Sequence, residues 1–147
     1  MNIVKWVFRG AIGLVLVGFV AFFILGKTSQ SGKAPGLVDG RLAPCPSSPN
    51  CVSSEEGTEA EKSVAVLPAE EWETLPQHVE EMGGTVTKRA DNYMATEFQS
   101  AVFGFVDDVE FRKAEEGVHV RSASRAGYSD AGVNAARVAE LRSKASQ

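Results

Sequence analysis

Residues 106–124 read VDDVEFRKAEEGVHVRSAS, and this stretch decides the fold. Taking Ala114-Glu115-Glu116-Gly117 as a hairpin loop sets two strands, Val106 to Arg112 and Val118 to Ser124, side by side. Phe111 then faces Val120, Glu110 faces Arg121, and Arg112 faces His119. Side chains alternate across a strand, so Val109, Phe111, Val118 and Val120 share one face. Asp108, Glu110, Arg112, His119 and Arg121 share the other. One face is apolar and the other sets opposite charges against each other. That register predicts an antiparallel hairpin with its charged face turned outward.

Upstream, TVTKRA (85–90) and YMATEFQ (93–99) flank Asp91-Asn92, a turn pair, and add two strands. Ser63 to Leu67, SVAVL, predicts a further short strand. In PAEEWETLPQHVEEMGG (68–84), Trp72, Leu75, Val79 and Met82 recur at helical spacing and share one face. Glu70 and Glu71 suit the positive end of that helix, and Gly83-Gly84 ends it. Pro76 should kink or split it. Downstream, Arg125 to Val133 is a loop in which Gly127 and Gly132 are free to take positive φ. Asn134 is placed to cap a last helix, with Val138, Leu141 and Ala145 as its stripe and Glu140–Lys144 as an i,i+4 pair. The expectation is an α+β domain: a small antiparallel sheet with two helices packed on it.

The amino-terminal end is different in kind. Gly10 to Gly26, GAIGLVLVGFVAFFILG, carries no charge. As a helix it spans about 25 Å, slightly short of a ~30 Å hydrocarbon core. Trp6, Val7 and Phe8 extend the apolar length, Arg9 can snorkel, and Trp6 suits the interface. A cleaved signal peptide has an apolar region of about 7–15 residues next to a small-residue site. Here Lys27 follows the run directly, and the small residues Gly32 and Ala34 lie far from it. The reading is an uncleaved span at 10–26 in contact with the lipid bilayer, after a cytoplasmic segment at 1–9. Residues 27–44, rich in Gly, Ser, Lys and Pro without apolar period, read as a flexible tether, and 45–147 as the soluble domain.

Lys5 and Arg9 before the span are balanced by Lys27 and Lys33 after it, so charge bias alone leaves the orientation open. Cys45 and Cys51, in CPSSPNC, are the only cysteines. With His78 and His119 as the only histidines they make a poor zinc set, and the spacing is not C-x-x-C. The choice lies between a local disulfide and two reduced thiols in a Pro-rich turn. A disulfide fits best and requires an oxidising compartment. Closing so short a loop contributes about 2.4 kcal/mol in the chain-entropy account. On this reading the domain lies on the periplasmic or extracytoplasmic side of a cell membrane.

The 147 residues carry a net charge of −4. Beyond the apolar run, 13 Lys and Arg meet 19 Asp and Glu, which leaves that part at −6. Such a surface argues against nucleic acid as a partner and against simple electrostatic adhesion to anionic lipid.

Four pieces, LAPCPSSPNCVSS, FGFVDDVEF, VRSASRAGYSDAGVNAAR and the closing VAELR, together resemble a bacterial and plastid family called domain of unknown function 1499. The resemblance covers roughly the last 105 residues. It implies the same domain with or without an anchor, and it brings no activity.

Candidate sites concentrate at 107–137. Arg121, Arg125 and Arg137 are placed to converge near the amino end of the last helix, where free N–H groups favour a phosphate or carboxylate. Ser122, Ser124, Tyr128 and Asn134 would add hydrogen bonds. The competing reading pairs these arginines internally with Asp107, Asp108, Glu110 and Asp130, which is scaffold. A calcium or magnesium site on Asp107, Asp108 and Glu110 is disfavoured, because neighbouring strand residues point to opposite faces. Gly127-Tyr128-Ser129-Asp130-Ala131 lacks the last glycine of a nucleophile elbow, and His78 and His119 read as solvated surface histidines. Phe98, Phe103, Phe105 and Phe111 read as core, unless Phe103 and Phe105 are exposed around Gly104 and touch a membrane or partner. No metal or cofactor is expected. The expected role is non-catalytic binding of an envelope protein or an anionic small molecule. The alternative is a hydrolase-like enzyme using the acid–arginine–serine cluster.

Overall fold

A computed structural model describes residues 2–145. Helix α1 (Asn2–Ser29) is followed by a two-stranded ribbon, β1 (Leu37–Val38) and β2 (Arg41–Leu42). Strand β3 (Cys51–Ser53) leads through short 3₁₀ turns at Ala60–Lys62 and Ala69–Glu73 into α2 (Leu75–Glu81). Then come β4 (Thr85–Arg89), β5 (Tyr93–Gln99), β6 (Val106–Ala114), β7 (Gly117–Ser124) and α3 (Val133–Lys144). The main sheet is antiparallel throughout, in the order β3-β7-β6-β5-β4. The fold is α+β, as the alternation of apolar and charged residues implies.

The hairpin keeps the expected register, with Phe111 opposite Val120, Glu110 opposite Arg121 and Arg112 opposite His119. Ala114 pairs with Gly117, so the ladder runs on until only Glu115 and Glu116 turn. Gly117 takes φ +144°, and a Cβ there would meet the Leu67 carbonyl oxygen at 2.5 Å. The apolar face carries the main core. Val109, Phe111, Val118 and Val120 are fully buried with Met94 and Phe98 of β5, under Leu75 and Val79 of α2 and Val138 and Leu141 of α3. Each such side chain contributes roughly 1.5–3 kcal/mol through burial. Pro76 divides the first helical pattern as anticipated: a 3₁₀ turn through Trp72 precedes α2, in which Pro76 occupies the first turn.

Four expectations are corrected. Ser63–Leu67 is not a strand: Ser63 bridges Ser53 and Leu67 bridges Val118, as isolated contacts at either end. Asn134 does not cap α3. Gly132, at φ +83°, holds the cap position, and Asp130 accepts the Asn134 N–H at 2.8 Å. Lys144 pairs with Glu81 of α2 at 3.1 Å rather than with Glu140. The stretch read from its composition as a tether lies against the sheet, where Leu42 and Ala43 are buried and Ala34 packs on Tyr93 and Ala95. It covers the charged face of the hairpin. That face is therefore an interior layer rather than solvent-facing, and His119 and Arg121 are buried in it.

Helix α1 stands apart from this core. Its residues from Ile12 to Leu25 are largely exposed, and the most apolar 18-residue stretch within Lys5–Ser29 has a mean hydropathy of 2.4. It is long and apolar enough to cross a membrane. Its carboxy-terminal part meets the domain, with Phe19 and Phe22 against the Phe103 ring and the last turn against the sheet. Gly26 abuts the Phe103 backbone, the Gln30 side chain donates to the Gly104 carbonyl at 3.0 Å, and Ser29 accepts the Val106 N–H.

Candidate functional site

Strand parity divides the predicted site residues between the two faces of the sheet. On the face under residues 34–44, Glu110 is fully buried and takes three donors. Tyr93 Oη approaches its Oε1 at 2.7 Å, the Gly36 N–H reaches the same oxygen at 2.8 Å, and Arg121 Nη1 reaches Oε2 at 3.1 Å. Burial and the adjacent Glu110 carboxylate push the Tyr93 phenol well above its ordinary range. Asp108 is bound at both oxygens by Arg125, at 2.8 Å through Nε and 2.6 Å through Nη2. The same guanidinium also donates to Glu97 and to the Ser29 carbonyl. Glu97 and Asp108 are register partners, so two like charges stand directly opposite, and Arg125 bridges them. The Asp108 hydrogen bonds raise the guanidinium's proton affinity further; burial opposes this and Glu97 adds to it.

A third pair completes this layer. Arg112 clasps Glu55 at 2.7 and 2.9 Å, and the Leu42 N–H donates to Glu55 at 3.0 Å. Burial pushes the Glu55 carboxyl up, but those donors and the nearby His119 outweigh it and hold the group below its usual range. His119 lies between Glu116, 2.6 Å from Nε2, and Ser54.

The helix face holds the other cluster. Arg137 Nη2 meets Asp107 at 2.7 Å, its Nη1 reaches Asn134 Oδ1 at 2.8 Å, and its guanidinium lies over the Phe98 ring. Asn134 is fully buried; it accepts from Ser122 at 2.5 Å and donates to the Asn50 carbonyl, to Ser124 and to Asp130. Burial raises the Asp130 carboxyl, and the N–H groups of Asn134 and Gly132 more than offset this. The three arginines therefore do not meet at one point. Arg121 and Arg125 share a face with Asp108 and Glu110, Arg137 joins Asp107, Ser122 and Asn134 on the other, and Tyr128 is exposed in the loop between. Every acid of the expected cluster is engaged by a partner within the chain. Among the described residues no group of three or more acid, His or Cys side chains is arranged to hold a metal ion.

A groove opens beside this layer at Arg121 and Arg125. It has a volume of about 360 Å³ and separates Thr28–Pro35 from the sheet, floored by Asp108, Ala123 and Arg125 with Arg121 at its wall. Lys33 adds a cation at its exposed rim. Arg121 is buried, yet its Nε has no hydrogen-bond partner. Glu97, Glu55, Tyr93 and Ser29 belong to this site and lie outside the stretch at 107–137. The first and third share strand parity on β5, and the Glu97–Asp108 opposition was available from the strand register. Nothing in the sequence pointed to Ser29.

The disulfide joins Cys45 and Cys51, with Cα atoms 5.7 Å apart. Residues 41–144 match the family described as Protein of unknown function (DUF1499). The match begins in β2 and ends with α3, taking in the whole main sheet but not α1. No curated protein and no solved structure matches the chain.

Proposed function

The chain belongs to the DUF1499 family, and we propose that it is a single-pass, membrane-anchored protein of the cell envelope whose domain binds an anionic group without catalysis. The observation that carries this reading is Arg121. A buried N–H without an acceptor is unfavourable by about 1–3 kcal/mol, and Arg121 also lines a groove of about 360 Å³, roomy enough for an oxyanion. Arg121 and Arg125 at the same groove are already paired with Glu110, Glu97 and Asp108, so the exposed Lys33 at its rim supplies the positive charge an anion would meet. The chemistry is that of a phosphate or carboxylate oxygen, from a lipid headgroup or from a free anion.

Retention of α1 is supported by its contacts. Removing residues through Ser29 would strip the acceptors from the Val106 N–H and from Arg125 Nη1. The Cys45–Cys51 bond favours the oxidising side of the membrane for the domain. The hydrolase alternative loses support because its serines and His119 are occupied. Ser122 and Ser124 bond Asn134, Ser129 accepts the Ala131 N–H, and His119 is held by Glu116.

The test uses the full chain in zwitterionic nanodiscs, with thermal unfolding as the readout. Inorganic phosphate is added in one arm and phosphatidylglycerol in another, which separates free anion from headgroup. At ten times its dissociation constant a ligand adds about 1.4 kcal/mol, or roughly 3–5 °C in midpoint for a chain of this size. Arg121→Lys keeps a cation for Glu110 and removes the Nε donor, so it should lose the shift. No shift in either arm, or an equal shift in Arg121→Lys, overturns the reading.

A further inference from the structure

The loop between β5 and β6 reads SAVFGFV from Ser100 to Val106, without a charge, and it sits against the apolar flank of α1. The Phe103 ring packs on Phe19 and Phe22, with centroids 4.9 and 5.5 Å away, and Phe105 meets Phe22 edge-on at 6.2 Å. Gly26 makes the approach possible, because a side chain there would run into the Phe103 carbonyl oxygen. We propose that this loop is a second membrane-inserting element, entering the bilayer beside α1 and fixing the domain on the lipid surface.

Depth is the first argument. Lys27 is the first charge after the apolar run. Phe22 and Phe19 precede it by roughly 7 and 12 Å along the helix axis at 1.5 Å per residue. A ring stacked on both lies at that depth, inside a ~30 Å hydrocarbon core that begins near Lys27. Composition is the second. Val102, at the loop tip, is 69% exposed, and its neighbour Ala101 is also exposed. In water that is an unpartnered apolar tip; in lipid it continues the surface of α1. Hydrogen bonding is the third. Backbone entering lipid must satisfy its own polar groups. The base of the loop meets this demand: the Ser100 N–H donates to the Phe105 carbonyl, the Gly104 N–H to the Ser100 carbonyl and the Phe105 N–H to Ser100 Oγ, while Gln30 covers the Gly104 carbonyl. That leaves only the short tip at Ala101 to Phe103 to be met by the interface. A partner protein would need none of this depth, so the occupant is the bilayer.

The inference rests on α1 being retained in the membrane, and the experiment separates the two. Because Cys45 and Cys51 are paired, a single added cysteine can be spin-labelled in the full chain without reductant. Labels are placed at Val102→Cys, at Leu16→Cys within α1, and at Asp91→Cys in the turn at the opposite end of the sheet. The chain is reconstituted in phosphatidylcholine vesicles, and collision with oxygen is compared with collision with a water-soluble nickel chelate. The expected result is an oxygen-to-nickel ratio at Val102 several-fold above that at Asp91 and in the range of Leu16. A Val102 label that matches Asp91 while Leu16 is immersed overturns the loop insertion alone. Aqueous behaviour at Leu16 as well overturns both the insertion and the anchor. Val102 is exposed in the folded chain, so its label does not threaten folding.

Discussion

The hydroxyl of Ser29, in the last turn of α1, accepts the backbone N–H of Val106, the first residue of β6, at 3.0 Å. The same hydroxyl donates to the Gly26 carbonyl at 2.6 Å, and the Ser29 carbonyl accepts from Arg125. One buried residue thus joins the apolar helix to the central hairpin and to the ionic layer. Helix and domain form a fixed joint rather than two bodies on a leash. Ser29→Ala removes an acceptor from a buried N–H, which is unfavourable by about 1–3 kcal/mol. Thermal unfolding of the full chain in detergent should show a midpoint lower by several degrees. An unchanged midpoint would mean that the joint carries no stability.

Arg125 is the keystone of the ionic layer, because two opposed carboxylates depend on it. Arg125→Met leaves Asp108 buried beside Glu97 with no counter-charge. Breaking a buried pair on one side typically destabilises by about 3–5 kcal/mol, so the midpoint should drop by roughly 10 °C. Replacing both partners is a different matter, since an apolar pair of similar volume can be near neutral. Arg125→Met with Asp108→Leu should therefore recover most of the loss. A double variant as unstable as the single one would show that Arg125 acts through Glu97 or Ser29 instead.

The hairpin was legible because two independent patterns agreed: an apolar alternation and a charge alternation in one register. What failed was the step from charged to exposed. Charges alternating with valines ordinarily face water, but here Arg112, Arg121 and Arg125 neutralise Glu55, Glu110 and Asp108 within the chain. Paired in this way, the face can be covered. The cover was hidden for a related reason. Residues 27–44 lack apolar period because they contribute only a few contacts, Ala34, Leu42 and Ala43, and a backbone N–H from Gly36 and from Leu42. Period reports repeated elements, and a strap held by backbone donors has none. The site residues were found one at a time but not their distribution, since convergence of three arginines depends on strand parity and on where α3 returns.

Glu55 sets a direction for the response to acid. Its folded pKa lies below the unfolded value, so its contribution is fully present above about pH 4.3, the ordinary Glu value. That contribution is lost as pH falls through the folded value. Asp130 acts in the same sense. Midpoints measured from pH 7 to pH 3 should fall steeply below about pH 4.5. Glu55→Gln should start lower at neutral pH and show a shallower acid limb. Parallel acid limbs in the two proteins would sink the assignment of Glu55 to acid sensitivity.

Asn134 marks where a cap motif became core. It is fully buried, and both ends of its amide are used: Oδ1 accepts from Ser122 and Arg137, while Nδ2 donates to Asn50, Ser124 and Asp130. These partners come from the disulfide loop, β7, the turn before α3, and α3 itself. Asn134→Ala removes the hub and leaves several buried groups unpaired, with an expected loss of about 2–4 kcal/mol. Asn134→Asp is nearly the same size and keeps the acceptors, but it loses the Nδ2 donor. It also sets a second carboxylate against Asp130, whose oxygen now lies 2.8 Å from Nδ2. If the donor matters more than the shape, Asp should be at least as damaging as Ala at pH 7 and should improve relative to Ala as pH falls and one carboxyl takes up a proton. Chemical unfolding of the two variants at pH 7 and pH 5 distinguishes these outcomes. An Asp variant as stable as wild type at pH 7 would show that Arg137 alone organises the cluster.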